Sequence, residues 1–422
     1  MNKKDAAKQF VKKNALKVCK SYEQYQVPVS IQTNATPVEL VMETVEKLNG
    51  LDGKDVLVVA NYDVAVNIAL YKHINTLQNL GNDYNFKSLT LLTDVAEHDP
   101  VLGSKFEVVL ANLNEPAKID MMGKKFDVVI GNPPYQPDRG ANDADYPLWL
   151  DFVDLGVECL TAEGKLVFIT PPKFIGQKRP VSSRSKVDYS VFLNNKVNWV
   201  KVLTQKESAK YFNGVGSKFA IYSISKGESE TTPVTIGDKT FNIDLENTVP
   251  APNNIDDLTA KLFQQLSGME KFTFADDYSC HSQKYKKGNW SETPTDVCTV
   301  PIVVSHKITR YTDFKQELFD KPKILVPAVS TIDNACFSQN SNFGEDMKYL
   351  EVSSEEEANN ILSILTSKLY RFIGDNFRPG RNLDKVARNV FPKLDTSRVW
   401  TDEEIYKAFD LSEEEINIVE GK

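Results

Sequence analysis

Apolar residues in the first half of the chain arrive in short, dense runs separated by polar turns. The runs are Asp55–Ala60 (DVLVVA), Ser88–Thr93 (SLTLLT), Phe106–Leu110, Phe126–Ile130 (FDVVI), Lys165–Thr170 (KLVFIT), Val197–Leu203 and Phe219–Ser225 (FAIYSIS). Rich in Val, Ile and Leu and with little alternation, they read as strands buried on both faces. Helical spacing lies between several of them, in Val64–Ile74 and Pro147–Leu160. Ahead of them, Thr36-Pro37-Val38 has the form of a helix start, with Thr36 as cap and Pro37 in the first turn. Val38, Val41, Val45 and Leu48 then share one face, and Asn49-Gly50 closes the helix. Alternating strands and helices predict an α/β fold, a doubly wound and mostly parallel sheet of seven strands.

Past Gly227 the texture changes. Short β-like pieces (Pro233–Ile236, Thr299–Val304, Lys323–Val326) sit among loops rich in Asn, Asp and Pro. One long helix is expected from Ser354 to Phe372, with Ala358, Ile361, Leu362, Leu365, Leu369 and Phe372 at helical spacing. With Gly227–Pro250 as the boundary region, the expected domains are 1–230 and 231–422, the second an α+β domain. The N-terminal stretch, with Phe10, Val11, Leu16 and Val18 on one side, reads as a basic amphipathic helix; it lacks the apolar core of a signal peptide.

Composition narrows the class. A chain of 422 residues, 41% hydrophobic and 26% charged, has ample core for two or three domains. No apolar run approaches the ~18–20 residues needed to cross a bilayer. Five scattered cysteines (Cys19, Cys159, Cys280, Cys298, Cys336) fit reduced thiols and a cytoplasmic setting. Cys280, His281, Cys298 and His306 match no paired metal-ligand spacing, so no metal is expected. Net charge is −8, yet from Lys173 to Lys226 eleven Lys and Arg face only Asp188 and Glu207, a local excess of nine. The tail from Asp402 to Glu420 is acidic. That distribution suits DNA in one cleft of an otherwise acidic protein; a solvated lysine-rich surface is the plainer alternative.

The most informative stretch is Phe126–Gln136, FDVVIGNPPYQ. Gly131 permits close backbone approach. Asn132 presents an amide at a strand's carboxyl end, where open α/β sheets place ligands. Pro133 and Pro134 stiffen the turn and leave the Pro133 carbonyl free of strand pairing. Tyr135 offers a flat π-face. Two acceptors beside an aromatic ring suit a planar, amine-bearing group such as a purine, whose exocyclic nitrogen is a poor nucleophile until its hydrogens are held. Base–aromatic stacking contributes roughly 1–3 kcal/mol. A rigid turn with a packed aromatic is the structural alternative.

A methyl donor fits the loops at the strand ends. Asp94, after the second strand, suits ribose hydroxyls, and Asn112, after the third, suits an adenine edge. The first strand ends in Ala60-Asn61-Tyr62-Asp63, without the glycines usual in such a turn; Asn61 and Asp63 suit a charged amino-acid moiety. Arg378 and Arg381, on the turn Phe377–Arg381, suit phosphate or guanine contacts or a helix end. Arg184 lies in the polar loop Arg179–Lys186, expected to clamp DNA near the base, and Lys173 lies ahead of it after Pro171-Pro172.

Taken together, Thr36-Pro37, the loop up to Asp63, Asp94, Asn112 and Asn132-Pro133-Pro134-Tyr135 resemble the gamma group of amino-DNA methyltransferases that modify adenine N6. Leu160–Phe174, Phe212–Tyr222, Asn376–Pro392 and Val399–Phe409 further resemble Eco57I-like modification enzymes. The resemblance implies a Rossmann-like methyltransferase domain, a C-terminal target-recognition domain, S-adenosylmethionine as cofactor and double-stranded DNA as partner. It assigns Asn132, Pro133, Pro134 and Tyr135 to catalysis on an extruded adenine. Thr36, Pro37, Ala60, Asn61, Asp63, Asp94 and Asn112 go to the donor, and Phe219 either covers the far face of the base or is a buried core residue. Only 35 residues precede Thr36, so methylation without cleavage is expected. Two other readings stay open: a glutamine-N5 methyltransferase using the same tetrapeptide, and a DNA-binding protein that has lost its donor.

Overall fold

A computed structural model describes residues 36, 38–48, 50–51, 53–59, 86–94, 107–137, 146–176, 187–212, 218–277, 279–280, 288–305, 307–378 and 390–422. The chain divides into two compact units, one of residues 1–174 and 178–246, the other of 175–177 and 247–422. The helices expected around Phe10–Val18 and Val64–Ile74 lie outside the described residues.

The first unit is built on a single sheet. β1 (Asp55–Val59), β2 (Ser88–Thr93), β3 (Glu107–Leu110), β4 (Phe126–Gly131), β5 (Leu160–Thr170), β6 (Lys196–Leu203) and β7 (Phe219–Ser225) are the seven expected strands. Two more, β8 (Thr232–Ile236) and β9 (Lys239–Ile243), extend it, so the sheet has nine strands, not seven. The order is β3-β2-β1-β4-β5-β7-β6-β8-β9. β1 through β5 pair in parallel, and β7 enters antiparallel between β5 and β6. β8 was expected past the boundary, but Val234 and Ile236 are buried and pair with β6, so that hydrophobic face finds its cover in the first sheet.

Why these runs form a core is plain from their burial. Val56, Leu57, Val58 and Val59 of β1 and Leu166, Val167 and Phe168 of β5 are fully buried. One helix after β4, α1 of the crossovers (Trp149–Glu158), lays Trp149, Phe152, Val153 and Leu155 on the sheet. An aromatic cluster then pins the chain after β5. Phe174 stacks on Phe192 with centroids 4.0 Å apart and meets Tyr222 edge-on at 5.0 Å. Strand order reverses between β1 and β4, the switch point at which such sheets bind ligands.

The second unit is α+β. A four-stranded sheet has the order β10 (Trp290–Ser291), β12 (Ile308–Thr312), β11 (Val300–Ser305), β15 (Asn342–Phe343), and in a separate sheet β13 (Lys323–Pro327) lies between β14 (Cys336–Ser338) and β16 (Met347–Glu351). The single helix expected over Ser354–Phe372 is two, Glu355–Leu365 and Lys368–Phe377. The break has a local cause: Ser367 adopts extended backbone and its hydroxyl accepts from the Tyr370 N–H, capping the second helix. The acidic tail is likewise helix chemistry. Asp402, Glu403 and Glu404 begin one helix and Glu413, Glu414 and Glu415 another, where carboxylates oppose the positive end of the dipole.

Lys323 is fully buried in this unit. Its ammonium donates to the Leu318, Phe319 and Lys321 carbonyls at 2.9, 3.3 and 3.1 Å. Burial pushes the amine down to about 8, so it stays charged at neutral pH and matches three donors to three acceptors. Lys323→Met strips those carbonyls of their donor, a cost that outweighs the relief of burying a cation. We expect a loss of about 2 kcal/mol in urea unfolding at neutral pH.

Candidate active site

β4 carries the central motif to the switch point. Val128, Val129 and Ile130 are buried between β1 and β5, and Gly131 pairs with Val59 on one side and Phe168 on the other. A Cβ on Gly131 would stand 2.4 Å from the Val59 carbonyl oxygen, so no larger residue fits without moving backbone. Asn132 therefore leaves the sheet from a fixed point. Thr36, just ahead of the helix Val38–Lys47 (α2 here), is buried and closes the same corner. Thr36, Val41, Thr44, Ile130, Gly131 and Ile169 line a small cleft there.

The amide of Asn132 is engaged at both ends. Its Nδ2 donates to Thr36 Oγ1 at 3.3 Å, and its Oδ1 accepts from the Tyr135 hydroxyl at 2.7 Å. That hydroxyl also lies 3.3 Å from the Ile169 carbonyl at the end of β5. Burial holds the Tyr135 phenol well above its ordinary range, so it is a hydrogen-bond donor throughout the pH range in which proteins work. Pro133 is buried and Pro134 half-buried.

Of the two readings of Phe219, the geometry fits the core one. Its ring centroid is 5.6 Å from that of Tyr135, tilted by 38°. A base between two rings needs about 7 Å, two base-stacking steps. Phe219 is instead a core residue, buried and packed on Phe212 at 4.9 Å, and it backs the Tyr135 ring rather than facing it across a slot.

The other predicted residues separate. Asp94 is exposed at the end of β2, on the carboxyl edge shared with Asn132. Asn112 follows β3, and its amide is used locally: Nδ2 donates to Glu115 at 3.1 Å and Oδ1 accepts from the Asn114 N–H at 3.0 Å. Lys173 is exposed in the turn after β5. Arg378, in the second unit, ends the helix Lys368–Phe377 and pairs with Asp375 at 3.3 Å, the helix-end alternative. Pro37, Ala60, Asn61, Asp63, Arg184 and Arg381 lie outside the described residues, as do His281 and His306. Cys280 is buried against Ile302. No helix among the described residues is long and apolar enough to cross a membrane.

With this geometry in place, the comparisons with known proteins are specific. Residues 59–198 match the Eco57I restriction-modification methylase family. That segment is about a third of the chain and contains β2 through β5 with the Asn132-Pro133-Pro134-Tyr135 turn. The resemblance seen in the motif is borne out there, and S-adenosylmethionine is the expected cofactor. The first unit has the expected doubly wound, mostly parallel α/β sheet. Among solved structures, the restriction-modification enzyme MmeI in complex with DNA is 12% identical, with 97% of this chain covering 69% of that one at a TM-score of 0.41. For the DrdV–DNA complex the values are 10%, 92%, 58% and 0.48. For the M protein of the type I restriction enzyme EcoKI they are 14%, 55%, 53% and 0.33. No curated protein matches the chain.

One residue of this edge carries no sequence signal. Lys218 directly precedes β7, whose antiparallel direction brings its start to the carboxyl ends of β4 and β5. The residue is half-buried, and burial pushes its amine from an ordinary value near 10.5 down to about 7. A lone lysine before an apolar run says nothing of this; only the folding of β7 against β5 creates it. The folded protein sheds this proton at about pH 7, the unfolded chain at about pH 10.5. The unfolded state thus binds more protons in between, and stability from this group rises with pH over that window. Lys218→Met should flatten the rise, read from urea midpoints across the window.

Proposed function

We propose that this protein is a DNA methyltransferase that transfers a methyl group from S-adenosylmethionine to the N6 amine of an adenine drawn out of the duplex. The observation that carries this reading is the Asn132 amide and Pro133 carbonyl emerging at the switch point, with the Tyr135 ring beside them. An adenine amine has two hydrogens and a lone pair spread into the ring. The Asn132 oxygen and the Pro133 carbonyl accept those hydrogens, localise the lone pair on nitrogen and make it nucleophilic. Tyr135 stacks on the ring with its exposed face, backed by Phe219. Because N6 is paired within the duplex, the base leaves the stack to reach them, which costs a few kcal/mol.

The residues present suit the donor. S-adenosylmethionine, when bound, supplies a methyl on a positively charged sulfur. Asp94, an exposed carboxylate at the end of β2, is the group for ribose hydroxyls, and the cleft beside Gly131 is closed by Thr36 on the side of the first helix. Asn112 would have to give up its contacts with Asn114 and Glu115 to read an adenine edge, so its role is in shaping that turn. Lys173 and Arg184 in the first unit, with Arg378 and Arg381 in the second, are the candidates for DNA contact. Residues 247–422 of the second unit would then select the target sequence, in a cytoplasmic restriction-modification setting.

The reading is tested by incubating the protein with methyl-labelled S-adenosylmethionine, mixed-sequence DNA and a protein fraction. Label on adenine N6 is expected; label on glutamine supports the amide methyltransferase reading, and DNA binding without label supports loss of catalysis. Asn132→Ala should abolish transfer, by more than about a hundredfold, while a gel-shift assay finds DNA affinity within about twofold. Unaltered turnover in that variant sinks the assigned role.

A further inference from the structure

Holding an amine by an amide demands that the amide's oxygen, not its nitrogen, face the substrate. Asn is nearly symmetric in shape, and nothing in its own chemistry prevents a half-turn that would present two donors instead. The site must therefore break that symmetry. Two hydroxyl partners do so. Thr36 Oγ1 takes a hydrogen from Nδ2 at 3.3 Å, and the Tyr135 hydroxyl gives one to Oδ1 at 2.7 Å. They come from different parts of the first unit, one preceding the helix Val38–Lys47 and the other in the turn after β4, so the amide is gripped from both sides.

We infer that Thr36 and the hydroxyl of Tyr135 are positioning residues that fix the orientation of the Asn132 amide, so that its oxygen and not its nitrogen serves the target amine. This rests on the reading of Asn132 as the amine-holding residue. An amide oxygen has two lone pairs, so the bond from Tyr135 and a bond from the substrate coexist. The Ile169 carbonyl, 3.3 Å from the same hydroxyl, anchors the phenol at the end of β5 within reach of Asn132. Burial of the phenol keeps that proton in place. Tyr135 thus has two separable duties, stacking by its ring and orientation by its hydroxyl. Thr36, which the sequence resemblance assigned to the donor, acts on the acceptor side through Asn132.

The test separates orientation from stacking and from donor binding. Tyr135→Phe keeps the ring and Thr36→Val keeps the shape, each removing one hydroxyl. Each should lower the single-turnover transfer rate about tenfold, with KM for DNA and donor changed less than about twofold. Fluorescence of 2-aminopurine at the target position should report base extrusion at the wild-type level in Tyr135→Phe. Thr36→Ser, which restores the hydroxyl, should recover most of the rate. Because both act on one amide, the double variant should lose far less than the product of the two single losses. Wild-type rates in the single variants, multiplicative losses in the double, or loss of extrusion in Tyr135→Phe would overturn the inference. Neutron crystal structures of both variants, in which the amide deuterons distinguish nitrogen from oxygen, provide a readout independent of turnover. A turned or two-fold disordered Asn132 amide is expected, and an unchanged amide in both refutes orientation even if the wild-type protein transfers no label to DNA.

Discussion

Everything at the site follows from how closely the ends of β1 and β4 approach. The Val59 carbonyl leaves no room for a side chain at position 131, and with glycine there the two strands stay in register to their last residue. The following residue then leaves the sheet at the point where strand order reverses, with buried Val, Ile and Leu on both sides. A turn of two prolines cannot relax that exit, because neither ring lets the backbone sample a helical φ/ψ at the residue before it. The position of the Asn132 amide is thus set by strand packing, and its orientation by two hydroxyls.

That division of labour explains why the surrounding aromatics are where they are. Phe219 and Phe212 fill the space behind Tyr135, so the phenol ring has a rigid support and its hydroxyl a defined reach to Asn132 and Ile169. On the other side of β7, Phe174, Phe192 and Tyr222 hold the turn after β5. Antiparallel insertion of β7 between β5 and β6 is what supplies both groups, since it delivers Phe219 to the carboxyl edge and Tyr222 to the sheet's interior. Lys218 arrives at that edge by the same route and pays in desolvation for being there.

Much of the first unit was legible because its strands are buried on both faces, and such strands must be continuously apolar. All seven expected runs are strands, within a few residues of the expected limits. Departures came where a local signal competed with a longer pattern. Helical spacing ran on through Thr366 and Ser367, but a serine that caps the next turn outweighed it. Strands Thr232–Ile236 and Lys239–Ile243 lay beyond the change in texture, yet the first pairs with β6 and the second folds back antiparallel on the first. Asn112 looked like a free amide at a strand end, and proved to be holding its own turn through Asn114 and Glu115.

Sequence alone determined the sheet, the place of the tetrapeptide at a strand's carboxyl end, and the chemistry that an amide, a carbonyl and a phenol ring make available. Those are local properties: burial pattern, backbone restriction and functional group all reside in adjacent residues. Tertiary structure decided the rest. That Thr36, nearly a hundred positions earlier, meets Asn132, that Phe219 backs Tyr135 instead of opposing it, and that Lys218 is stripped of water all depend on which strands lie side by side. Contacts between distant segments are set by strand order and direction, and a one-dimensional pattern of polar and apolar residues specifies neither.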